Sequence, residues 1–321
     1  MVLDERFRRS RNSPSKAVPP IIGEFLLSRE AMDCTGRTIE DYEGRLLYFH
    51  RFIDGGELIS VTKHQVSSYL LDFRNKGRAP ATIKTHYRAL KAFYNWMVVE
   101  EIITISPLAK IKPPRTEKKL ATFLSEEQFE LLAAACAVRK YNGARNRAII
   151  QLLWDTGVRS SEVISIRFAD LDSKRERIFI YGKGRKERYV EYTMESRQAV
   201  AAYVRLRNER FGEAQSPKVF LTEEGSPLQE GGLYSALKRL YERAGFRVKD
   251  ACHIFRRTRA IRMLATMDPW QVMELMGWED IETMDRYVRA RKSEQILDNL
   301  SLKRREEREY TRYNQGRRRR D

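Results

Sequence analysis

The C-terminal third of the chain carries side chains that suit phosphoryl transfer. One short, mostly helical stretch contains His253, Arg256, Trp278 and Tyr287. A tyrosine hydroxyl can attack a phosphodiester, and positioned arginines can stabilise the negative charge that gathers on the phosphate oxygens. This combination predicts a tyrosine nucleophile that acts on a phosphodiester held by cationic donors.

Two upstream motifs extend the reactive set. About ninety residues earlier lies Thr-Gly-Val-Arg-Ser-Ser-Glu at residues 156–162, and Gly-Lys-Gly follows at residues 182–184. If the first motif is helical, Glu162 lies three positions from Arg159 and can orient its guanidinium group. The glycines that flank Lys183 predict the cationic tip of a hairpin.

The order Arg, Lys, His-x-x-Arg, Trp and Tyr resembles the tyrosine recombinase/integrase family, and the resemblance covers nearly the whole chain. It implies that Tyr287 attacks the scissile phosphate and leaves a 3'-phosphotyrosine and a free 5'-hydroxyl. It also implies that Arg159 and Arg256 clamp the phosphate. Lys183 matches the family's general acid, which protonates the leaving 5'-oxygen. Lysine suits this role because it can release a proton, which arginine does not readily do.

The remaining family positions include two departures. His253 is similar to the family's assisting histidine, which exchanges a proton with the attacking oxygen or donates to the phosphate. Arg257 stands where the family commonly has histidine, and Trp278 stands where most members have histidine. An indole N–H can donate to a phosphate oxygen but cannot move a proton. Trp278 therefore has either a catalytic role or a packing role.

The basic residues of the hairpin have a second interpretation. They can form a turn that contacts backbone phosphates, a group made of Lys183, Arg185, Lys186 and Arg188. Both roles can hold together, and Arg185 and Lys186 are predicted to bind DNA.

The charge of the chain indicates a polyanionic partner. Its 321 residues include 61 Lys and Arg against 44 Asp and Glu, which gives a net charge of +17 and a pI near 9.8. Because hydrophobic residues make up 42% of the chain, a buried core is expected rather than wholesale disorder. The resemblance to tyrosine recombinases implies that this polyanionic partner is double-stranded DNA.

Several other classes of protein are not expected. The three cysteines, Cys34, Cys136 and Cys252, lie far apart, without the spacing of a disulfide framework or a zinc site. The sequence has no phosphate-binding Gly-x-x-x-x-Gly-Lys-Ser/Thr loop, no convincing Asp/Glu triad and no apolar run near the ~18 residues that span a bilayer. We therefore expect a cytoplasmic enzyme that needs no cofactor or metal ion, and whose partner is neither a membrane nor a small-molecule substrate.

The pattern of helices and linkers predicts two domains. Residues 20–108 have the periodicity of an all-α four-helix bundle, the core-binding domain of the family. A linker rich in proline and lysine, residues 109–117, precedes a catalytic domain at residues 118–300. We expect this second domain to be mixed α+β and mainly helical, with a small antiparallel sheet. A flexible basic arm (1–19) and a basic tail (301–321) flank the two domains.

Local signals place the starts of several helices. Thr38 with Asp41, and Ser125 with Gln128, have the spacing of capping boxes. Thr62 is expected to cap the third helix of the bundle.

The catalytic domain has one strong hairpin signal. Residues 177–181 and 188–192 are predicted to be its two strands, and helices are predicted at 195–210 and 231–244.

The resemblance also implies a DNA clamp and a tetramer. The DNA contacts predicted at the start of the fourth helix are Thr82, Lys84, Thr85 and Arg88, and a solvated helix face is the alternative. Members of the family work as homotetramers on two paired sites, through a Holliday junction, and accessory proteins can join them. The family's C-terminal helix docks on a neighbouring protomer. The corresponding apolar residues here either form that docking face or belong to the protomer's own core: Ile296, Leu297, Leu300 and Leu302.

The sequence thus predicts a site-specific DNA recombinase that integrates, excises or resolves DNA elements. Two alternatives stay open: a catalytically inactive architectural DNA-binding paralogue, and a type IB-like topoisomerase that uses the same tyrosine chemistry on any duplex.

Overall fold

The chain divides into an N-terminal unit, residues 1–118, and a C-terminal unit, residues 119–321. Each unit has its own hydrophobic core. The finer domain limits inferred from the sequence stay a prediction.

A computed structural model describes residues 18–115, 122–182, 187–213, 216–285 and 287–291. Most of the predicted basic arm, the tip of the hairpin, the apolar residues between 296 and 302 and the basic tail lie outside the described residues.

The N-terminal unit is the expected bundle of four helices. In chain order they are α1 (Pro20–Glu30), α2 (Gly36–Phe52), α3 (Lys63–Asn75) and α4 (Pro80–Val99), with a short 3-10 turn at Leu58–Ser60. Aromatic rings fill much of the core, since Phe25, Phe49 and Phe93 are fully buried. The side of α4 that faces this core carries Ile83, Tyr87, Leu90, Tyr94 and Met97, which are all buried.

The helix starts agree with the sequence at two of three predicted caps. Thr62 and Gln65 form a reciprocal capping box, as do Ser125 and Gln128. The box predicted from Thr38 and Asp41 is wrong. Helix α2 begins earlier, and the side chain of Thr35 caps it by accepting from the Thr38 N–H. Two threonines three residues apart both suited the cap, and the earlier one satisfies the first free N–H groups of the helix.

The C-terminal unit is mainly helical around a small sheet. Its helices are α5 (Glu126–Ala134), α6 (Tyr141–Thr156), α7 (Ser160–Ser165), α8 (Met194–Phe211), α9 (Glu230–Arg243), α10 (His253–Met263) and α11 (Pro269–Met276). A 3-10 turn spans Phe168–Asp170, and residues 281–285 and 287–291 are also helical.

The sheet has three antiparallel strands in the order β1-β2-β3, namely Leu171–Asp172, Arg177–Tyr181 and Glu187–Glu191. The predicted β2 is confirmed, and β3 lies one residue earlier than predicted. β1 was not predicted, because two residues are too short to show an alternating pattern. In the register Arg188 lies opposite Ile180, on the same face as the buried Val190.

Helix α6 runs through the centre of this core. Nearly every residue from Gly143 to Thr156 is buried, including polar ones. The helix ends at Gly157, whose positive φ of 63° belongs to the left-handed region that glycine adopts without strain. A Cβ at this position would lie 2.9 Å from the Cβ of Arg259. Two features of this turn therefore require glycine: its positive φ and the close approach of α10.

A separate small core joins α10, α11 and the last described helix. Its buried members include Ile261, Val272, Met276, Trp278 and Tyr287. The segment that contains the predicted nucleophile thus packs on the helix that contains His253 and Arg256.

Candidate active site

Arg159 and Glu162 meet at the start of α7. The Arg159 backbone N–H donates to Oε2 of Glu162 at 2.8 Å, and Nη1 of its side chain donates to Oε1 at 2.8 Å. Glu162 is 4% exposed, whereas the Arg159 side chain is 32% exposed. The carboxylate is therefore a buried anchor, and the guanidinium group reaches from it towards the surface.

A second arginine, Arg188 of β3, holds the same carboxylate from the other side. Its Nη1 donates to Oε1 of Glu162 at 3.1 Å, and its Nη2 donates to Oε2 at 2.8 Å. Burial opposes the charge on Glu162, but hydrogen bonds from Arg188 and from the Arg159 backbone outweigh burial and lower its pKa to about 2. The carboxylate is ionised at neutral pH.

Arg256 is the most deeply buried arginine of the set, at 4% exposure. Its Nη1 donates to the Gly157 carbonyl at 2.8 Å, and its Nη2 donates to the Met276 carbonyl. Burial, and then the nearby charge of Arg159, lower the pKa of Arg256 to about 10. The group is still a cation at neutral pH, and two backbone carbonyls fix its orientation.

The three arginines converge on the C-terminal end of α11. Consecutive carbonyls there accept one guanidinium N–H each: Leu275 from Arg188 at 3.1 Å, Met276 from Arg256, and Gly277 from Arg159 at 3.3 Å. The carbonyl end of a helix is partly negative and attracts cations. The end of this short helix therefore helps to gather three cations that would otherwise repel one another.

Trp278 follows Gly277 in the sequence and contacts the candidate nucleophile, Tyr287. Its indole stacks on the ring of Tyr287 with centroids 4.8 Å apart and an interplanar angle of 8°. Both side chains are 9% exposed. The guanidinium carbon of Arg256 lies 5.9 Å from the Trp278 ring centroid. Trp278 thus contacts Tyr287 and lies near Arg256, and this position fits both roles considered for it.

His253 is exposed, whereas Arg256 on the same helix, α10, is buried. His253 is the first residue of the helix, and its backbone N–H donates to Oδ1 of Asp250 at 3.2 Å. Arg257, which follows Arg256 in α10, forms an ion pair with Asp250 at 3.1 Å and donates to Oγ1 of Thr122 at 3.2 Å. Arg257, one of the two departures from the family pattern, therefore ties α10 to the segment before α5.

The hairpin residues are only partly described. Lys183, Arg185 and Lys186 lie outside the described residues. Arg188 does not fit the interpretation of a basic turn on backbone phosphates, because its guanidinium is committed to Glu162 and its side chain is only 13% exposed. The sequence did contain a signal for this: the alternation of β3 places Arg188 on the same face as the apolar Val190.

The DNA contacts predicted for the N-terminal unit share the start of α4. Thr82, Thr85 and Arg88 are exposed and Lys84 is half-buried, while Oγ1 of Thr85 donates to the Thr82 carbonyl at 2.7 Å. This surface is polar and basic, and it lies opposite the buried face of the same helix.

Comparisons with known proteins agree with this architecture. Residues 122–294 match the phage integrase family, and residues 21–104 match the SAM-like N-terminal domain of phage integrases. The tyrosine recombinase XerC of Bacillus pumilus is 31% identical over 265 residues, which cover 79% of this chain and 86% of that protein.

Solved structures resemble the chain in fold. The XerH site-specific recombinase, in a post-cleavage complex with a palindromic difH substrate, has a TM-score of 0.70 and 23% identity, covering 85% of this chain and 81% of that one. A lambda integrase tetramer bound to a Holliday junction has a TM-score of 0.68 and 14% identity, covering 88% and 83%. At these identities the likeness is one of fold.

The chain belongs to the phage integrase family of tyrosine recombinases, enzymes that cut and rejoin DNA. Within the described part of the chain, no helix is long and apolar enough to cross a membrane.

Proposed function

We propose that this tyrosine recombinase exchanges strands between two DNA sites through a 3'-phosphotyrosine intermediate formed on Tyr287. The observation that supports this assignment is the packing of Tyr287 on Trp278, beside the turn where Arg159 and Arg256 are held. Of the fifteen tyrosines in the chain, this one lies beside the gathered arginines and in the family position.

The two arginines would stabilise the reacting phosphate. As the tyrosine oxygen forms its bond to phosphorus, negative charge gathers on the two non-bridging oxygens, and the bond to the 5'-oxygen breaks. Fixed guanidinium groups are suited to this charge because they need no reorganisation during the reaction. Arg159 is the more exposed of the two, and Arg256 is fixed by Gly157 and Met276.

Protons move at both ends of this reaction. We assign the proton for the leaving 5'-oxygen to Lys183 and proton exchange with the attacking oxygen to His253, as the family pattern implies. In the second transfer a 5'-hydroxyl of the other site attacks the phosphotyrosine and releases Tyr287. The phosphotyrosyl bond keeps the energy of the original phosphodiester, so the exchange needs no nucleotide cofactor.

The same proposal gives each domain a task. Residues 20–108 would form the core-binding domain, with Thr82, Lys84, Thr85 and Arg88 on DNA, and residues 118–300 the catalytic domain. Arg185 and Lys186 would contact the DNA backbone beside the hairpin tip. The net charge of +17 supports extensive phosphate contacts.

We also propose a homotetramer on two paired sites. Lambda integrase, which shares the fold, has been seen as a tetramer on a Holliday junction. Accessory proteins and a cytoplasmic location belong to the same proposal. The alternatives of an architectural DNA-binding protein or a topoisomerase are not favoured, since the curated relatives are recombinases.

A suicide substrate tests the chemistry. The binding site would first be recovered by selecting bound duplexes from genomic fragments. A nick would then be placed just downstream of the scissile phosphate, so that the short fragment with the free 5'-hydroxyl diffuses away. We expect a covalent protein–DNA band on a denaturing gel, formed without metal or nucleotide and greatly reduced in Arg159→Ala. Tight binding without any band would favour the architectural alternative. Relaxation of plasmids that lack the site would favour the topoisomerase.

A further inference from the structure

Arg188 joins three segments of the C-terminal unit. It belongs to β3, its forked guanidinium holds Glu162 of α7, and its Nε donates to the Leu275 carbonyl of α11 at 3.1 Å. A Cβ at Gly277 would lie 3.4 Å from its Nη1, so the guanidinium packs directly against the turn before Trp278.

Arg159 and Arg188 together donate four hydrogen bonds to the Glu162 carboxylate. Oxygen Oε1 accepts from Nη1 of Arg159 and Nη1 of Arg188, and oxygen Oε2 accepts from the Arg159 backbone and Nη2 of Arg188. An ionised carboxylate offers about four acceptor positions, so all of them are occupied. Arg188 therefore takes the two positions that would otherwise remain available to Arg159.

Because the two arginines share this carboxylate, Arg188 determines how many N–H groups of the Arg159 guanidinium remain available to bind a phosphate. With Arg188 present, Arg159 gives Glu162 one side-chain N–H and turns Nη2 to the Gly277 carbonyl. Arginine and carboxylate groups favour a two-bond pairing. Without Arg188, the half-empty carboxylate would draw Arg159 into that pairing and rotate its guanidinium away from the surface.

We propose that Arg188 is a positioning residue for the phosphate clamp: it saturates Glu162 and thereby holds Arg159 in the orientation that meets the scissile phosphate. This inference rests on the function proposed above for Arg159. Arg188 itself, tied to Glu162 and Leu275, does not need to touch the DNA.

The test compares single-turnover cleavage of two suicide substrates. One has the natural phosphodiester at the scissile position, and the other has a methylphosphonate, in which a methyl group replaces one charged non-bridging oxygen. Misplacing a group that contacts the transition state costs on the order of 100-fold in rate. We expect Arg188→Ala to slow cleavage of the phosphodiester by roughly that factor. On at least one methylphosphonate diastereomer, the rate defect of Arg188→Ala relative to wild type should shrink to about threefold. The reason is that this substrate carries less negative charge for Arg159 to stabilise.

Two further variants complete the design. Arg188→Lys keeps the charge without the fork and should show most of the defect. Arg177→Ala is the matched control, because Arg177 also pairs with a glutamate of this sheet, Glu191 at 3.0 Å, but on its exposed face. We expect the control to cleave both substrates like wild type.

A double-mutant cycle gives an independent readout. If Arg188 acts through Arg159, then Arg159→Ala with Arg188→Ala should be no slower on the phosphodiester than Arg159→Ala alone. An equal Arg188→Ala defect on both substrates, together with additive effects in the cycle, would overturn the inference and leave Arg188 a structural residue. Failure of the wild-type protein to form any adduct would instead overturn the proposed function.

Discussion

The indole of Trp278 lies parallel to the ring of Tyr287, with centroids 4.8 Å apart. Stacked aromatic pairs add about 0.5–1.5 kcal/mol beyond the burial of their surfaces. The contact also fixes where the phenol sits relative to the arginines that hold the neighbouring turn. Trp278 is therefore part of the support of the proposed nucleophile, and its substitution separates packing from hydrogen bonding.

Replacing Trp278 by phenylalanine should preserve most of the activity. The phenyl ring keeps a stack on Tyr287 but removes the indole N–H, so we expect adduct formation within about threefold of wild type. Trp278→Ala removes the stack and leaves a cavity, which should cost about 3 kcal/mol in the free energy of unfolding and on the order of 100-fold in cleavage. Urea denaturation and single-turnover cleavage measure the two effects. If Phe and Ala impair cleavage equally while Phe stays stable, the N–H donates in the reaction.

Glycine is required at residue 157 for more than its backbone angle. Gly157→Ala should be strained by its positive φ and also forces the Cβ of Arg259, 2.9 Å away, to move. Gly245→Ala is the matched control, because Gly245 has a φ of 84° in the turn that ends α9 and no atom lies within 4 Å of the position that a Cβ would take. We expect the control to cost about 1 kcal/mol in the free energy of unfolding and Gly157→Ala clearly more. Cleavage should fall only in Gly157→Ala, since its carbonyl holds Arg256; equal losses in the two variants would contradict this.

Glu162 makes a pH-dependent contribution to stability. Its pKa falls from 4.5 to about 2 on folding, so the folded state favours the ionised form. The contribution is complete above about pH 4.5 and is lost as the pH falls towards 2, and its upper limit is about 3 kcal/mol. Glu162→Gln has no such titration but leaves Arg188 without its charged partner. The gap in unfolding free energy between wild type and this variant should therefore narrow from about pH 5 to pH 3. A gap that stays constant over this pH range would mean that folding does not lower the pKa of Glu162.

The predicted contacts of α4 should appear in the salt dependence of binding. Removing one cationic side chain from a DNA phosphate lowers the slope of log K against log salt by about 1. We expect this change in Lys84→Ala and in Arg88→Ala, without a change in the preferred sequence if both bind phosphates. Arg29→Ala is the control, since this guanidinium lies over the Phe25 ring at 5.2 Å. An unaltered slope in both α4 variants would make this surface a solvated helix face.

Local signals in the sequence predicted the fold well where one or two residues decide the structure. The cap residue Thr62 and the strand residues 177–181 act over a few positions, so the helix start and the strand follow from them. The error at Thr38 came from two equivalent threonines, and β1 was too short to carry a pattern.

The predicted site residues were found as members of a family pattern, whereas their supports depend on contacts distant in sequence. Arg188 meets Glu162, 26 positions away, and Arg159 meets Gly277, 118 positions away. Nothing in the local sequence distinguishes Arg188 from the other basic residues of the hairpin except its place on the buried face of β3. The exposed position of His253 likewise depends on where α10 begins.

The proposed function depends most directly on Tyr287 being the nucleophile. The covalent adduct from the suicide substrate should be digested with protease and nuclease, and the modified peptide identified by mass spectrometry. We predict a single nucleotide joined through its 3'-phosphate to Tyr287, and no adduct in Tyr287→Phe. An adduct on another tyrosine or a band that persists in Tyr287→Phe would show that Tyr287 is not the nucleophile, and a 5'-phosphate linkage would rule out the proposed chemistry.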